Sequence, residues 1–166
     1  MKKVIVIGCP GSGKSTFSVK LHEATGIPLI HLDMLYWKED KTTVEKTEFI
    51  EKLQCAMKES RWIIDGNYST TMEMRLQACD TVFFLDYDAD TCLEGVRHRR
   101  GKVRTDLPWI ETEEDEEFLT FIRNYGTEYR PQVMDLLKKY GAKNIFVFQT
   151  REESENFICG LQEAFS

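Results

Sequence analysis

The sequence predicts an α/β fold, a doubly wound parallel sheet. Three observations predict it. Short apolar runs recur at 3–7, 28–32, 61–65, 81–86 and 143–148, helical patterns lie between them, and the first run turns into a helix through a glycine-rich loop. Near-continuous apolar strands suit a parallel sheet buried on both faces. Alternation of strand and helix is what crossover connections require. Ligands of such sheets bind outside the carboxyl ends of the strands.

Each element has a local reason. Val4, Ile5, Val6 and Ile7 form a β-branched strand. Lys14 to Thr25 reads as a helix with Phe17, Leu21 and Ala24 on one face, stopped by Gly26 and Pro28. Residues 44–59 carry Phe49, Ile50, Leu53, Ala56 and Met57 at helical spacing. Thr70 and Glu73 have capping-box spacing before a short helix to Ala78, and Thr150 and Glu153 have it before a helix over 151–165. Helices are expected over about 113–126 and from Pro131 to Tyr140, the second ended by Gly141. Residues 98–117 break the rhythm, with few apolar anchors before Phe118, and are read as a mobile excursion. The acidic run Glu111–Glu117 suits a helix N-terminus better than a metal site.

Composition limits what the chain can be. Its 166 residues suit a single domain over 1–166, and 42% hydrophobic with 30% charged residues is a globular balance. A net charge of −6 disfavours coating nucleic acid by bulk charge. Cys9, Cys55, Cys79, Cys92 and Cys159 are scattered, odd in number and never C-x-x-C, which points to a reducing, cytoplasmic setting. The apolar start is too short for a signal peptide, and no run is long enough to cross a bilayer.

The chemistry is concentrated at Gly8-Cys9-Pro10-Gly11-Ser12-Gly13-Lys14-Ser15, which fits the phosphate-loop pattern at every fixed position. Gly8, Gly11 and Gly13 let the backbone amides turn inward toward an anion. The helix that follows adds roughly half a positive charge at its N-terminus. Lys14 is placed for the β- and γ-phosphates, Ser15 for Mg²⁺ and Thr16 for the α-phosphate, so a nucleoside triphosphate with Mg²⁺ is the expected ligand. Asp65, at the end of Trp62-Ile63-Ile64, is a candidate metal carboxylate, with Asp86 its rival. Asp33 follows the second strand and is either an acceptor-side base or a helix N-cap. Arg97, Arg99, Arg100, Lys102 and Arg104 are candidates for a phosphate-closing lid, Arg97 and Arg100 foremost, with Arg123 or Arg130 completing it. His22, His31 and His98 show no ligand spacing. Cys9 needs no catalytic role.

These residues resemble a known family. Gly26-Ile27-Pro28 with His31-Leu32-Asp33-Met34-Leu35, Ile63-Ile64-Asp65-Gly66, and Asp80–Asp86 followed by Arg97 and Arg100 resemble adenylate kinases, with Tyr125 and Pro131 at the lid exit. More narrowly, Leu32–Trp37, Trp62–Tyr68 and Tyr129-Arg130-Pro131 resemble the adenylate-kinase-related DNA topology modulation proteins of FlaR type. The resemblance implies a three-layer P-loop NTPase fold: a five-stranded parallel sheet of order 2-3-1-4-5, a short lid over about 98–127, and an acceptor side over about 33–60. It implies an ATP-dependent phosphotransferase with adenine near Thr150-Arg151. The Phe-Pro-Arg that follows Asp-Gly in adenylate kinases is replaced here by Asn67-Tyr68-Ser69, which argues against a nucleoside monophosphate acceptor. Two other readings stay open. One is a slowly hydrolysing, DNA-linked regulator, and the other is a small-metabolite kinase of gluconate or shikimate type with Asp33 as base.

Overall fold

A computed structural model describes residues 1–141 and 143–165. Ala142 and Ser166, which the expected span 1–166 includes, lie outside the described residues. The elements, in order, are β1 (Lys3–Gly8), α1 (Lys14–Thr25), β2 (Leu29–His31), α2 (Leu32–Tyr36), α3 (Lys46–Met57), β3 (Trp62–Asp65), α4 (Ser69–Ala78), β4 (Thr81–Leu85), α5 (Ala89–Arg99), α6 (Glu116–Glu128), α7 (Arg130–Lys139), β5 (Asn144–Phe148) and α8 (Arg151–Phe165). All five strands are parallel, in the order β2-β3-β1-β4-β5. The expected fold class is therefore the observed one.

Strand identity follows from burial. β1, β3 and β4 form the centre of the sheet, and every residue of β3 and β4 is buried. One face packs Val4, Val6, Ile63 and Phe83 under α1, α5, α6 and α8. The other packs Ile5, Ile7, Ile64 and Phe84 against α3, α4 and α7. The apolar run at the fifth strand reads as buried, but β5 is an edge, and Phe146 and Val147 are 38% and 39% exposed.

Several local expectations change. Helix α4 is not opened by a Thr70/Glu73 box: Tyr68 precedes it at φ 39°, with no side-chain cap. Glu73 instead takes hydrogen bonds from Lys139 and Tyr140. Asp33 is not an N-cap, because α2 already begins at Leu32. The box before α8 does form, with Thr150 accepting from the Glu153 amide, though the Glu153 carboxylate reaches back to the Gln149 amide. Helix α3 runs over Lys46–Met57, shorter than 44–59; at its start the Val44 amide donates to the Tyr36 carbonyl instead of joining the helix. Asp115 caps α6, so the helix starts three residues later than expected.

Candidate functional site

The carboxyl ends of β1, β2 and β3 meet in register: Val6 pairs with Asp65, and Asp65 pairs with His31. Above them opens a cleft of about 1400 Å³. Its floor is the loop from Pro10 to Ser15, and one wall carries Asp33, Trp37, Asp65, Asn67 and Tyr68. The other wall carries Arg99, Arg100, Arg104, Asp106 and Trp109.

The glycines of the loop are required by packing as well as by ligand approach. At Gly8 and Gly11, with φ of 154° and 84°, a Cβ would lie 2.6 Å from the Leu85 carbonyl and 2.0 Å from the Cys92 carbonyl. Gly95 is the reciprocal contact on α5, where a Cβ would lie 2.0 Å from the Gly11 carbonyl. Sequence reading missed Gly95, although a glycine inside a helical pattern marks close approach. Asn67 clamps the start of the loop, donating to the Gly8 carbonyl at 2.7 Å and accepting from the Gly8 amide at 3.2 Å. Arg151 braces the loop from behind, donating to the carbonyls of Gly11 and Ser12 at 3.1 Å with its guanidinium over the Tyr87 ring. Arg151, near which the resemblance implies adenine, thus holds the loop backbone.

Lys14 donates to the Gly8 and Cys9 carbonyls at 2.9 and 3.2 Å. Burial lowers its pKa, partly opposed by Cys9 and by the carboxylates of Asp65 and Asp33. Ser15 donates to Asp106 at 2.5 Å. Asp106 lies in the excursion expected to be mobile, yet it is 5% exposed and gripped by Arg104 at 2.9 and 2.6 Å. Burial opposes its charge, but the bonds from Arg104 and Ser15 outweigh this and hold its carboxyl at about 2. The excursion is therefore folded over the cleft. Arg99 and Arg104 share Glu111, Arg100 pairs with Glu114, Leu107 is buried, and Trp109 meets Trp37 edge-on at 5.0 Å.

A carboxyl depressed from its ordinary 3.8 stabilises the folded state above that value and loses the effect as pH falls toward about 2. The shift corresponds to about 2 kcal/mol. Replacing Asp106 with Asn is thus expected to lower stability at pH 7 by about that amount. Urea unfolding at pH 7 and pH 3 should show the difference between the two proteins shrinking as the pH falls.

Asp65 pairs with His31, Nδ1 to Oδ2, at 2.8 Å. Burial opposes charge on His31, but Asp65 outweighs it and raises the pKa. The pairing follows from the β2–β3 register, which spacing along the chain does not reveal. Asp33 accepts from the Tyr68 hydroxyl at 2.5 Å through Oδ1. Desolvation raises its pKa despite Tyr68 and Lys14.

Other candidates lie elsewhere. Asp86 is outside the cleft, held by Arg130 at 2.7–2.9 Å. Arg97 is exposed and does not line the cleft, because Val96 and Arg99 occupy the inward positions of α5. Arg100 does line it. Arg123 pairs with Glu116 on the exposed face of α6. Cys9 is buried beneath the loop in the apolar core. Of the arginine cluster expected to form a lid, Arg99, Arg100 and Arg104 line the cleft. Residues without a site role in the sequence reading include Asn67 and Asp106 at the cleft, and Arg75 beneath it.

The oxygen donors of Ser15, Asp33, Asp65 and Asp106 suit a hard cation that takes one or two protein ligands beside phosphate oxygens. Among the described residues, no group of three or more His, Cys, Asp or Glu could hold a metal ion by itself.

No protein-family model matches the chain, and no curated protein matches it. Among solved structures it is similar to shikimate kinase from Bacteroides thetaiotaomicron, with a TM-score of 0.55 at 19% identity over 97% of this chain and 96% of that chain. At that identity the likeness shows the fold: a P-loop, five-stranded parallel sheet with flanking helices. It adds nothing to the narrower FlaR-type resemblance. Among the described residues, no helix is long and apolar enough to cross a membrane.

Proposed function

We propose that the chain is an ATP-dependent small-molecule kinase. It would work as one domain, with 98–127 as lid and 33–60 as acceptor side, in a cytoplasmic setting. The observation that carries the reading is the loop of residues 8–15 facing Asp33 across one cleft. Loop amides and Lys14 hold the triphosphate. Magnesium held near Ser15 and Asp65 would offset charge on the phosphates. Asp33 takes the proton of an acceptor hydroxyl as its oxygen bonds to the γ-phosphorus, and the bond to the departing ADP breaks. Arg99, Arg100 and Arg104 stand over the cleft, placed to meet the charge spread over the transferring oxygens. A hydroxyl acceptor suits this geometry better than the nucleoside monophosphate of the adenylate-kinase reading. Asn67, where that family's acceptor-side Phe-Pro-Arg begins, is spent on clamping the loop. It also brings the chain nearer the metabolite-kinase reading than the FlaR-type regulator.

The test is ADP release with Mg²⁺ across a panel of hydroxyl compounds and nucleoside monophosphates. The expected result is strong stimulation by a hydroxyl compound. Slow basal hydrolysis with every acceptor, together with salt-sensitive DNA binding, would favour the regulator instead.

A further inference from the structure

Resting on that kinase reading, we propose that the acceptor is an uncharged, hydroxyl-bearing compound with a ring face, the chemical class of sugars and nucleosides, and that the cleft discriminates against anionic acceptors.

The acceptor wall is built without a cation. Between residues 29 and 68 the lining side chains are Asp33, Trp37, Asp65, Asn67 and Tyr68, and none of the lysines or arginines of that segment reaches the cleft. Asp33 gives one oxygen to Tyr68, and among the described residues its Oδ2 has no hydrogen-bond partner. A carboxylate with a free oxygen on a cleft wall offers an acceptor to a hydroxyl proton and a like charge to an anion. Asp65 is matched by His31 and Asp106 by Arg104, so neither leaves surplus positive charge.

The cations across the cleft are already engaged. Arg99 and Arg104 share Glu111, Arg104 also grips Asp106, and Arg100 faces Glu114. Freed, they serve the phosphates at the floor, where Asp106 meets Ser15. An acceptor carboxylate or phosphate beside Asp33 would be stripped of water while the arginines opposite hold Glu111, Asp106 and Glu114.

The same wall is aromatic. Trp37 meets Trp109 at 5.0 Å and Tyr36 at 5.2 Å, and Tyr36 continues to Tyr68 at 5.0 Å. Half-buried Trp37, held by Tyr36 and Trp109, lines the same cleft wall as Asp33, the pairing of apolar wall and polar anchor that orients a small ligand. A cleft of about 1400 Å³ exceeds the usual space of one small ligand and leaves room for a second molecule beside a nucleotide.

Matched pairs test this on the wild-type protein: adenosine against AMP, ribose against ribose 5-phosphate, and glucose against gluconate, each with ATP and Mg²⁺. We expect the neutral member of at least one pair to raise ADP release about tenfold or more over its anionic partner, as repulsion by the Asp33 carboxylate would produce. For that acceptor, Trp37→Ala should raise KM with a smaller effect on kcat, as loss of uniform binding does. Stimulation by anionic members equal to or above that by neutral ones overturns the inference and leaves the kinase reading standing. Absence of stimulation by any member overturns both.

Discussion

Replacing Asp33 with Asn should lower turnover by about 10²–10⁴-fold while nucleotide binding is retained, because the amide cannot take the acceptor proton. The substitution preserves shape and keeps an oxygen for the Tyr68 hydroxyl, which Asp33 now accepts at 2.5 Å. The acidic limb of the wild-type pH–rate profile should report the same group. Desolvation raises the Asp33 pKa, and a base works only when deprotonated. Turnover should therefore rise with pH through a value above the ordinary carboxylate range, and that limb should vanish from the residual activity of Asp33→Asn. Steady-state rates from pH 4 to 8 provide the check. An unchanged turnover would remove Asp33 from the chemistry.

The second large effect concerns stability. Arg75 is fully buried in α4 and forms no ion pair among the described residues. Its guanidinium donates to the carbonyls of Gly66, Asn67 and Tyr68 and to the Thr71 hydroxyl. These carbonyls belong to the turn that presents Asn67 to the loop and Tyr68 to Asp33. Burial lowers the Arg75 pKa to about 10, which leaves it charged at neutral pH. Arg75→Met should cost about 3–5 kcal/mol, since the buried acceptors lose a charged donor and gain none. Arg75→Lys should recover little, because a point ammonium cannot reproduce the fork. Urea unfolding midpoints of the three proteins measure this. A loss below about 1 kcal/mol would mean that water replaces the guanidinium at the turn.

Local patterns made the sheet, the loop and most helices readable. β-branched runs, Gly26 and the Thr150/Glu153 box act within a few residues, so their physics is written along the chain. What escaped depends on distance. His31 meets Asp65 only because β2 and β3 pair in register. Asp106 reaches Ser15 across 91 residues, and its burial depends on Arg104 and Glu111 folding around it. The charged stretch 98–117 reads as mobile because its anchors are ion pairs, Leu107 and one Trp–Trp contact instead of an apolar stripe. Arg97 and Arg99 differ only in helical phase, which the arginine cluster by itself does not fix. Arg75 gave no signal, since a lone arginine in a short helix normally faces water.

Every role proposed above depends on the loop of residues 8–15 binding polyphosphate. Calorimetric titration of ATP with Mg²⁺ into the wild-type protein and into Lys14→Met tests it most directly. Wild type should bind saturably, and Lys14→Met should lose that binding. No heat from well-folded wild type at millimolar nucleotide, or equal binding by Lys14→Met, would contradict it.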